Sequence, residues 1–169
     1  MKEHQVKAKT ELASEIREKL ISQGFKIENE DMDRPWGGFF VIDEGQAQQF
    51  IDTYFSGLTL DEVNISGKLS PKILLVAPEK RLSWQYHFRR AETWKVLEGP
   101  VGIVRSMDDN QGPVRRYFSD DMVILHKGER HRLVGLDDWG VIAEIWQHLD
   151  ADHPSDEDDI VRLEDDFGR

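Results

Sequence analysis

Arg81-Leu82-Ser83-Trp84-Gln85-Tyr86-His87-Phe88-Arg89-Arg90-Ala91-Glu92-Thr93-Trp94 is the stretch on which the fold of this chain turns. Side chains alternate across a strand, so Arg81, Ser83, Gln85 and His87 share one face, and Leu82, Trp84, Tyr86 and Phe88 the other. The first face is polar and uncharged at its centre; the second is apolar and aromatic. Turned to solvent, the polar face is ordinary. Turned into a barrel, it lines a site. Gln85 and His87, two residues apart, can reach one ion from a single strand, and Glu92, after a short turn, offers a carboxylate from the next. A fourth donor has to come from a remote segment. His131 fits, because Gly128 allows a tight turn before its strand. Two imidazoles, a carboxylate and an amide oxygen suit Zn, Mn, Fe, Co or Ni rather than Ca. Taken singly, each histidine reads first as a satisfied polar or surface residue; the arrangement of all four donors is what points to a metal.

Outward from this window, short apolar runs recur at Lys72–Ala77, Thr93–Leu97, Val101–Arg105, Val114–Phe118, Met122–Leu125, His131–Val134 and Val141–Trp146, broken by Gly, Pro, Asp and Asn. Many short strands at even spacing indicate an antiparallel sandwich or closed barrel. Upstream, Arg34-Pro35-Trp36-Gly37-Gly38 is a turn-rich entry into a strand at Phe39–Ile42, and Gln46–Phe55 reads as a short helix. Leu12, Ile16, Leu20 and Ile21 make one stripe of a helix over Lys7–Gln23, which Gly24 ends. Too short to persist alone, it is expected to lie on the barrel or on a partner subunit.

The 169 residues make about one domain. With 22 basic and 33 acidic side chains the formal charge is −11, which argues against nucleic acid or an anionic membrane as partner. No cysteine is present, so disulfides, thiolate metal sites and thiol nucleophiles are excluded. No signal-peptide pattern or apolar run of spanning length is seen, and a cytoplasmic location is expected. Nine acidic residues crowd the segment from Asp150 to Arg169. On composition it reads as a solvated tail, although Ile160-Val161-Arg162-Leu163 could dock on the barrel.

The spacing resembles the cupin superfamily: Gln85-x-His87, four residues, Glu92, six residues and Gly99 match its first motif with Gln for the first His, and His126-x-Gly128-x-x-His131 its second with His for Pro. Glu79 and Asp120 stand where the leading glycines of the two motifs belong. More narrowly, Arg34-Pro35-Trp36-Gly37, Arg81-Leu82-Ser83-x-Gln85-x-His87, Arg90-Ala91-Glu92-x-Trp94, Gly128-x-x-His131-Arg132-Leu133, Glu157-Asp158-Asp159-Ile160-Val161-Arg162 and the terminal Glu164-Asp165-Asp166-Phe167-Gly168-Arg169 resemble, in the same order, type II mannose-6-phosphate isomerases. The likeness is to the C-terminal cupin of enzymes that also carry a mannose-1-phosphate guanylyltransferase domain, for which this chain has no room. It implies an all-β fold, a cupin-type double-stranded β-helix (jelly-roll barrel) over residues 34–169, with an N-terminal helical extension over 1–33, an insertion near 46–70 and a docked acidic C-terminal tail.

The resemblance also implies one divalent metal, with zinc as the expected ion, held by Gln85, His87, Glu92 and His131, and interconversion of mannose 6-phosphate and fructose 6-phosphate. Isomerisation moves a proton between C1 and C2 through an enediol, so a base is needed; Glu144 and Lys95 are candidates, each also readable as a surface charge. Arg34, Arg81, Arg90 and Arg162, inside matched motifs, are candidate phosphate anchors, or, Arg162 especially, ion-pair partners of the tail. Trp36 and Trp94 read as core or as a stacking wall, and His4, His126, His148 and His153 receive no role. The family's run of three histidines is His87-Phe88-Arg89 here, and Thr93 replaces the usual His after the glutamate. A non-enzymatic sugar- or sugar-phosphate-binding cupin, an Fe(II) cupin oxygenase and a metal-free nucleotide-sugar epimerase are the alternatives. Because Leu82, Trp84, Tyr86 and Phe88 need a cover, a homodimer is expected.

Overall fold

In the computed structural model, residues 5–58, 68–150, 152–156 and 158–168 are described. Helix α1 spans Lys9–Ser22 and α2 Ala47–Tyr54. The strands are β1 (Ile27–Asp31), β2 (Gly37–Ile42), β3 (Lys72–Val76), β4 (Trp84–Tyr86), β5 (Arg90–Glu98), β6 (Val101–Ser106), β7 (Arg115–Tyr117), β8 (Met122–Leu125), β9 (Arg130–Val134), β10 (Gly140–His148) and β11 (Val161–Glu164). They form two antiparallel sheets, ordered β1-β2-β3-β10-β5-β8 and β11-β4-β9-β6-β7. The sheets face each other as the two halves of a cupin-type barrel. No helix among the described residues is long and apolar enough to cross a membrane.

The two faces of the larger sheet bury different cores. Ile73 and Leu75 on β3, with Val141, Ala143 and Ile145 on β10, face out and are covered by α1 and α2 through Leu12, Leu20, Phe50 and Ile51. Leu74, Val76, Trp94, Val96 and Ile142 face inward and meet Val101, Ile103 and Leu133 of the smaller sheet. Burial on both faces explains why β3 and β10 read as near-continuous apolar runs. It also fixes which polar residues lie inside: by alternation, Lys72 follows Leu74, Glu92 follows Trp94, and Glu144 and Trp146 follow Ile142.

Several expectations are corrected. Helix α1 lies on the barrel as expected, against the larger sheet and away from the aromatic face of β4. Part of that face is covered from within the chain: Leu82 packs into the barrel core, Trp84 is buried and donates to the Asp109 carbonyl at 2.9 Å, and the Arg130 guanidinium lies 3.9 Å from the centre of the Tyr86 ring. Phe88 alone of the four is exposed. Alternation fails at Arg81 to Ser83 because only residues 84–86 are strand there. Strand β1, whose Ile-Glu-Asn-Glu-Asp sequence carries no apolar alternation, is held by pairing with β2. Residues 161–164 of the acidic tail pair with β4 as β11. The insertion assigned to 46–70 includes residues 59–67, which lie outside the described residues.

Glu79 and Asp120, the residues standing at glycine positions of the cupin motifs, have φ of +61° and +77°. An L-residue in the left-handed region is strained by about 1–2 kcal/mol, against which glycine carries a backbone-entropy cost of about 0.5–1 kcal/mol. Both sites are exposed. Glu79→Gly is therefore expected to stabilise by about 0.5 kcal/mol, a rise of about 1–2 °C in Tm for a chain of this size, measured by calorimetry; a lower Tm would contradict the strain.

Candidate metal centre and its cavity

Register brings the site together. On the larger sheet Trp146 of β10 lies opposite Glu92 of β5, and Glu144 opposite Trp94. On the smaller sheet Gln85 of β4 lies opposite His131 of β9, and His87 follows β4 directly. One donor atom from each of His87, Glu92 and His131 lies within 4.8 Å of the others, and all three residues are buried. Glu92 and Gln85 line a cavity of about 120 Å³ beside this cluster.

The hydrogen bonds behind the imidazoles decide which nitrogen faces inward. His87 Nδ1 lies 2.7 Å from the Asp159 carbonyl, and His131 Nδ1 3.0 Å from the Glu129 carbonyl. A carbonyl only accepts, so each Nδ1 carries the proton and each Nε2 keeps its lone pair. His131 Nε2 is buried and has no hydrogen-bond partner in the protein. His87 Nε2 lies 3.2 Å from Glu92 Oε1 and accepts from Arg90 Nη2, also at 3.2 Å. Burial would raise the Glu92 carboxyl, but its positive surroundings outweigh that, the Arg90 guanidinium at 3.0 Å among them, and hold Glu92 well below the ordinary carboxylate range. Burial pushes His131 down to about 4. Two neutral imidazoles with outward-tied Nδ1–H groups, one ionised carboxylate and an amide make a donor set that fits a divalent transition metal. An orphaned inward lone pair is what such an ion would satisfy.

Glu144 is the second carboxylate in the cavity. Trp146 Nε1 donates to its Oε1 and Trp94 Nε1 to its Oε2, both at 2.8 Å. Burial first, and the nearby Glu92 charge second, push Glu144 up to about 7. Around these two carboxylates stand Arg34, Lys72, Arg90 and Arg162. Four cations against two carboxylates give this cavity a positive balance within a chain of charge −11, the sign that attracts an anionic ligand.

Of the residues singled out by sequence, the structure gathers Gln85, His87, Glu92, His131, Glu144, Arg34, Arg90 and Arg162 at this site. Two lie elsewhere. Arg81 is engaged by the tail, with Nε 2.6 Å from Asp166 Oδ2 and Nη2 3.1 Å from Glu164 Oε1, so it is no anchor for a ligand. Lys95, opposite Ala143 and Met122, is on the outer face of its sheet and cannot act as the base. Arg162, a candidate anchor for which pairing with the tail was the alternative, lines the cavity. Trp36 and Trp94 both line it too. The departures Phe88, Arg89 and Thr93 stand outside: Phe88 is exposed, Arg89 pairs with Asp156 at 3.2 Å, and Thr93 faces outward from β5.

Arg162 apart, sequence reasoning missed the tail's part in the site. Asp159 accepts from the Phe88 and Arg89 amides at 3.0 and 2.9 Å and from Ser155 Oγ at 2.6 Å, fixing the loop that carries His87. Arg90 donates to Ser155 Oγ and the Asp156 carbonyl while its guanidinium stacks 3.6 Å from the Trp146 ring centre. The Glu157–Arg162 motif was the available signal. Lys72, with Nζ 3.7 Å from the same ring centre, was also missed.

His148, given no role, reports on acid stability. It is wholly buried, and its Nδ1 accepts from the Ser155 amide at 2.9 Å, so a second proton would face that N–H. Burial, then Lys68, Arg90 and Lys72, push it down to about 4. An unfolded histidine titrates near 6.5. The depressed group thus contributes stability fully above about pH 6.5, and loses it as pH falls toward 4. Between pH 7 and 5 about 2 kcal/mol is lost through this group. Urea unfolding at both pH values should show a shallower loss in His148→Gln than in the parent; an equal loss would contradict the assignment.

Fold and site together define a class: a cupin-type barrel with a buried His-Glu-His donor set inside it. The family model described as mannose-6-phosphate isomerase C-terminal matches residues 46–165, and the chain belongs to that family. It is 27% identical over 151 residues to a mannose-1-phosphate guanylyltransferase of Salmonella montevideo, covering 89% of this chain and 26% of that protein. It is 31% identical over 124 residues to the alginate biosynthesis protein AlgA of Pseudomonas aeruginosa, covering 73% and 24%. The chain thus spans about a quarter of the length of these curated relatives. Among solved structures it is similar to the capsular polysaccharide assembling protein CapF of Staphylococcus aureus, with TM-score 0.53 and 15% identity over 80% of this chain and 34% of that one. The vicilin of Corylus avellana (hazelnut) gives TM-score 0.53 and 12% identity over 82% and 36%. At such identities these two likenesses are of fold alone.

Proposed function

We propose that this chain is a metal-dependent sugar-phosphate isomerase that interconverts mannose 6-phosphate and fructose 6-phosphate. The observation that carries the reading is that Glu92, clustered with the buried His87 and His131, lines one cavity with the buried Glu144 carboxylate, and the other charged residues of that cavity are cations. Membership of the mannose-6-phosphate isomerase C-terminal family supports it, as do relatives named for mannose-phosphate chemistry.

Gln85, His87, Glu92 and His131 would hold the divalent ion, which supplies polarisation of the C1/C2 oxygens and stabilises the negative charge that develops there. Glu144 moves the proton between C1 and C2. A base works best with a pKa near the working pH, and burial beside Glu92 tunes Glu144 that way. The Trp94 and Trp146 indoles fix its orientation while leaving a lone pair on each oxygen. Arg34 and Arg162 take the phosphate, with guanidinium forks matched to its oxygens. Arg90, tied to Glu92, His87 and the tail, orients the ligands.

The test is turnover of mannose 6-phosphate after chelation and reloading with zinc, manganese, cobalt, nickel or iron. Activity restored by at least one ion is expected. Saturable binding of mannose 6-phosphate without turnover under any ion would replace the enzyme by a sugar-phosphate-binding cupin, and oxygen uptake with iron bound would point to an oxygenase.

A further inference from the structure

Trp36 is the exception among the five tryptophans. Trp84 donates its indole N–H to the Asp109 carbonyl, Trp139 to the Lys7 carbonyl, and Trp94 and Trp146 to Glu144. Trp36 is only 5% exposed and lines the cavity of the metal centre, yet its Nε1 is buried with no acceptor among the described residues. A buried donor left unmade is costly and uncommon. The backbone holds it there all the same. Gly37 follows at φ +151°, where a Cβ would stand 1.9 Å from the Leu75 carbonyl oxygen, so β2 runs too close to β3 for any other residue.

Two more donor groups share the wall. Arg34 Nε also lacks an aligned acceptor, although Asp31 Oδ2 lies 3.1 Å away, and Arg162 forms no ion pair among the described residues. An indole N–H and two guanidinium groups give protons and accept none. A sugar hydroxyl both donates and accepts, and so suits the Glu92, Glu144 and Gln85 part of the cavity. A phosphoryl group only accepts, and it suits the three donors.

Resting on the isomerase reading of the same cavity, we propose that Trp36 is a ligand-recognition residue whose indole N–H donates to a phosphoryl oxygen of the bound sugar phosphate, beside Arg34 and Arg162. Losing one hydrogen bond to a charged acceptor weakens affinity by about 10–100-fold.

The experiment follows the indole N–H resonances of the full chain labelled with 15N-tryptophan, with Trp36 assigned from the spectrum of Trp36→Phe, during titration with mannose 6-phosphate, inorganic phosphate and mannose. The Trp36 resonance is expected to move with mannose 6-phosphate and with phosphate, and to stay in place with mannose. A resonance unmoved at saturating mannose 6-phosphate, or moved equally by mannose, overturns the proposal. In calorimetry Trp36→Phe should bind mannose 6-phosphate about 10–100-fold more weakly while its unliganded Tm is unchanged or higher, since the ring is kept and only an unsatisfied donor is lost. Unchanged affinity overturns the proposal; should the variant not fold, Trp36 is assigned from triple-resonance spectra of the parent, whose titration then decides. The two readings fail separately. Turnover with an unmoved Trp36 resonance removes this inference and leaves the isomerase, whereas a moved resonance without turnover removes the isomerase and leaves the recognition site.

Discussion

Glu92→Gln is expected to abolish tight binding of a divalent ion and to lower kcat/KM for mannose 6-phosphate by about 10³-fold or more. The size follows from the several kcal/mol of charge stabilisation that a Lewis acid supplies to an oxyanion. Glu92 is the only anion among the four donors, and its oxygens stand 3.2 and 3.5 Å from the two inward Nε2 atoms. Glutamine keeps the shape and loses the charge. The same change leaves the buried Arg90 guanidinium without its 3.0 Å carboxylate partner, and breaking a buried ion pair costs about 3–5 kcal/mol. His131→Ala separates the two effects. The His131 side chain makes a single hydrogen bond, to the Glu129 carbonyl, so its loss should remove the ion while Arg90 keeps its partner. Elemental analysis and metal titration of both folded variants are the check. Stoichiometric, tight metal binding by Glu92→Gln would mean that the ion sits elsewhere.

Glu144→Gln is expected to lower kcat by about 10²–10⁴-fold, the usual worth of a positioned base, while mannose 6-phosphate still binds. The amide can accept from only one of the two indole N–H groups that the carboxylate satisfies, so a stability loss of about 1–3 kcal/mol accompanies the change. Folding and chemistry are therefore read separately, by urea unfolding and by steady-state rates at saturating substrate. A variant that keeps parental kcat would assign the proton transfer to another group. Lys95→Met serves as the control: its side chain leaves the sheet on the outer face, and its rate should match the parent.

Much of the fold was written in local pattern. The run Lys72–Val76 reads as a strand because both its faces are buried, one under α2 and one in the barrel, and Gly128 marks the turn before His131. The donor set was legible for a similar reason: the two-residue step from Gln85 to His87 and the short turn to Glu92 survive as sheet geometry. What escaped depended on order in the sheet or on main-chain atoms. Nothing in the sequence says that β10 lies beside β5, and so nothing sets Glu144 against Trp94. Asp159 fixes His87 through its carbonyl oxygen, which every residue possesses. Of the candidate anchors Arg81 departs from expectation because the strand begins only at Trp84, leaving it to reach Asp166, while Arg162, opposite Gln85 on β11, borders the cavity. Phe88, Arg89 and Thr93 looked consequential as replacements of histidines, yet all three side chains are outside the cavity.

The most direct measurement is proton exchange in heavy water. Metal-loaded protein is incubated with mannose 6-phosphate, and the C2 position is followed by NMR. Deuterium should enter C2 at a rate comparable with formation of fructose 6-phosphate, cease on chelation and return with the metal. Bound mannose 6-phosphate that keeps its C2 proton through prolonged incubation with the loaded protein would show that Glu144 and the donor set do not move it.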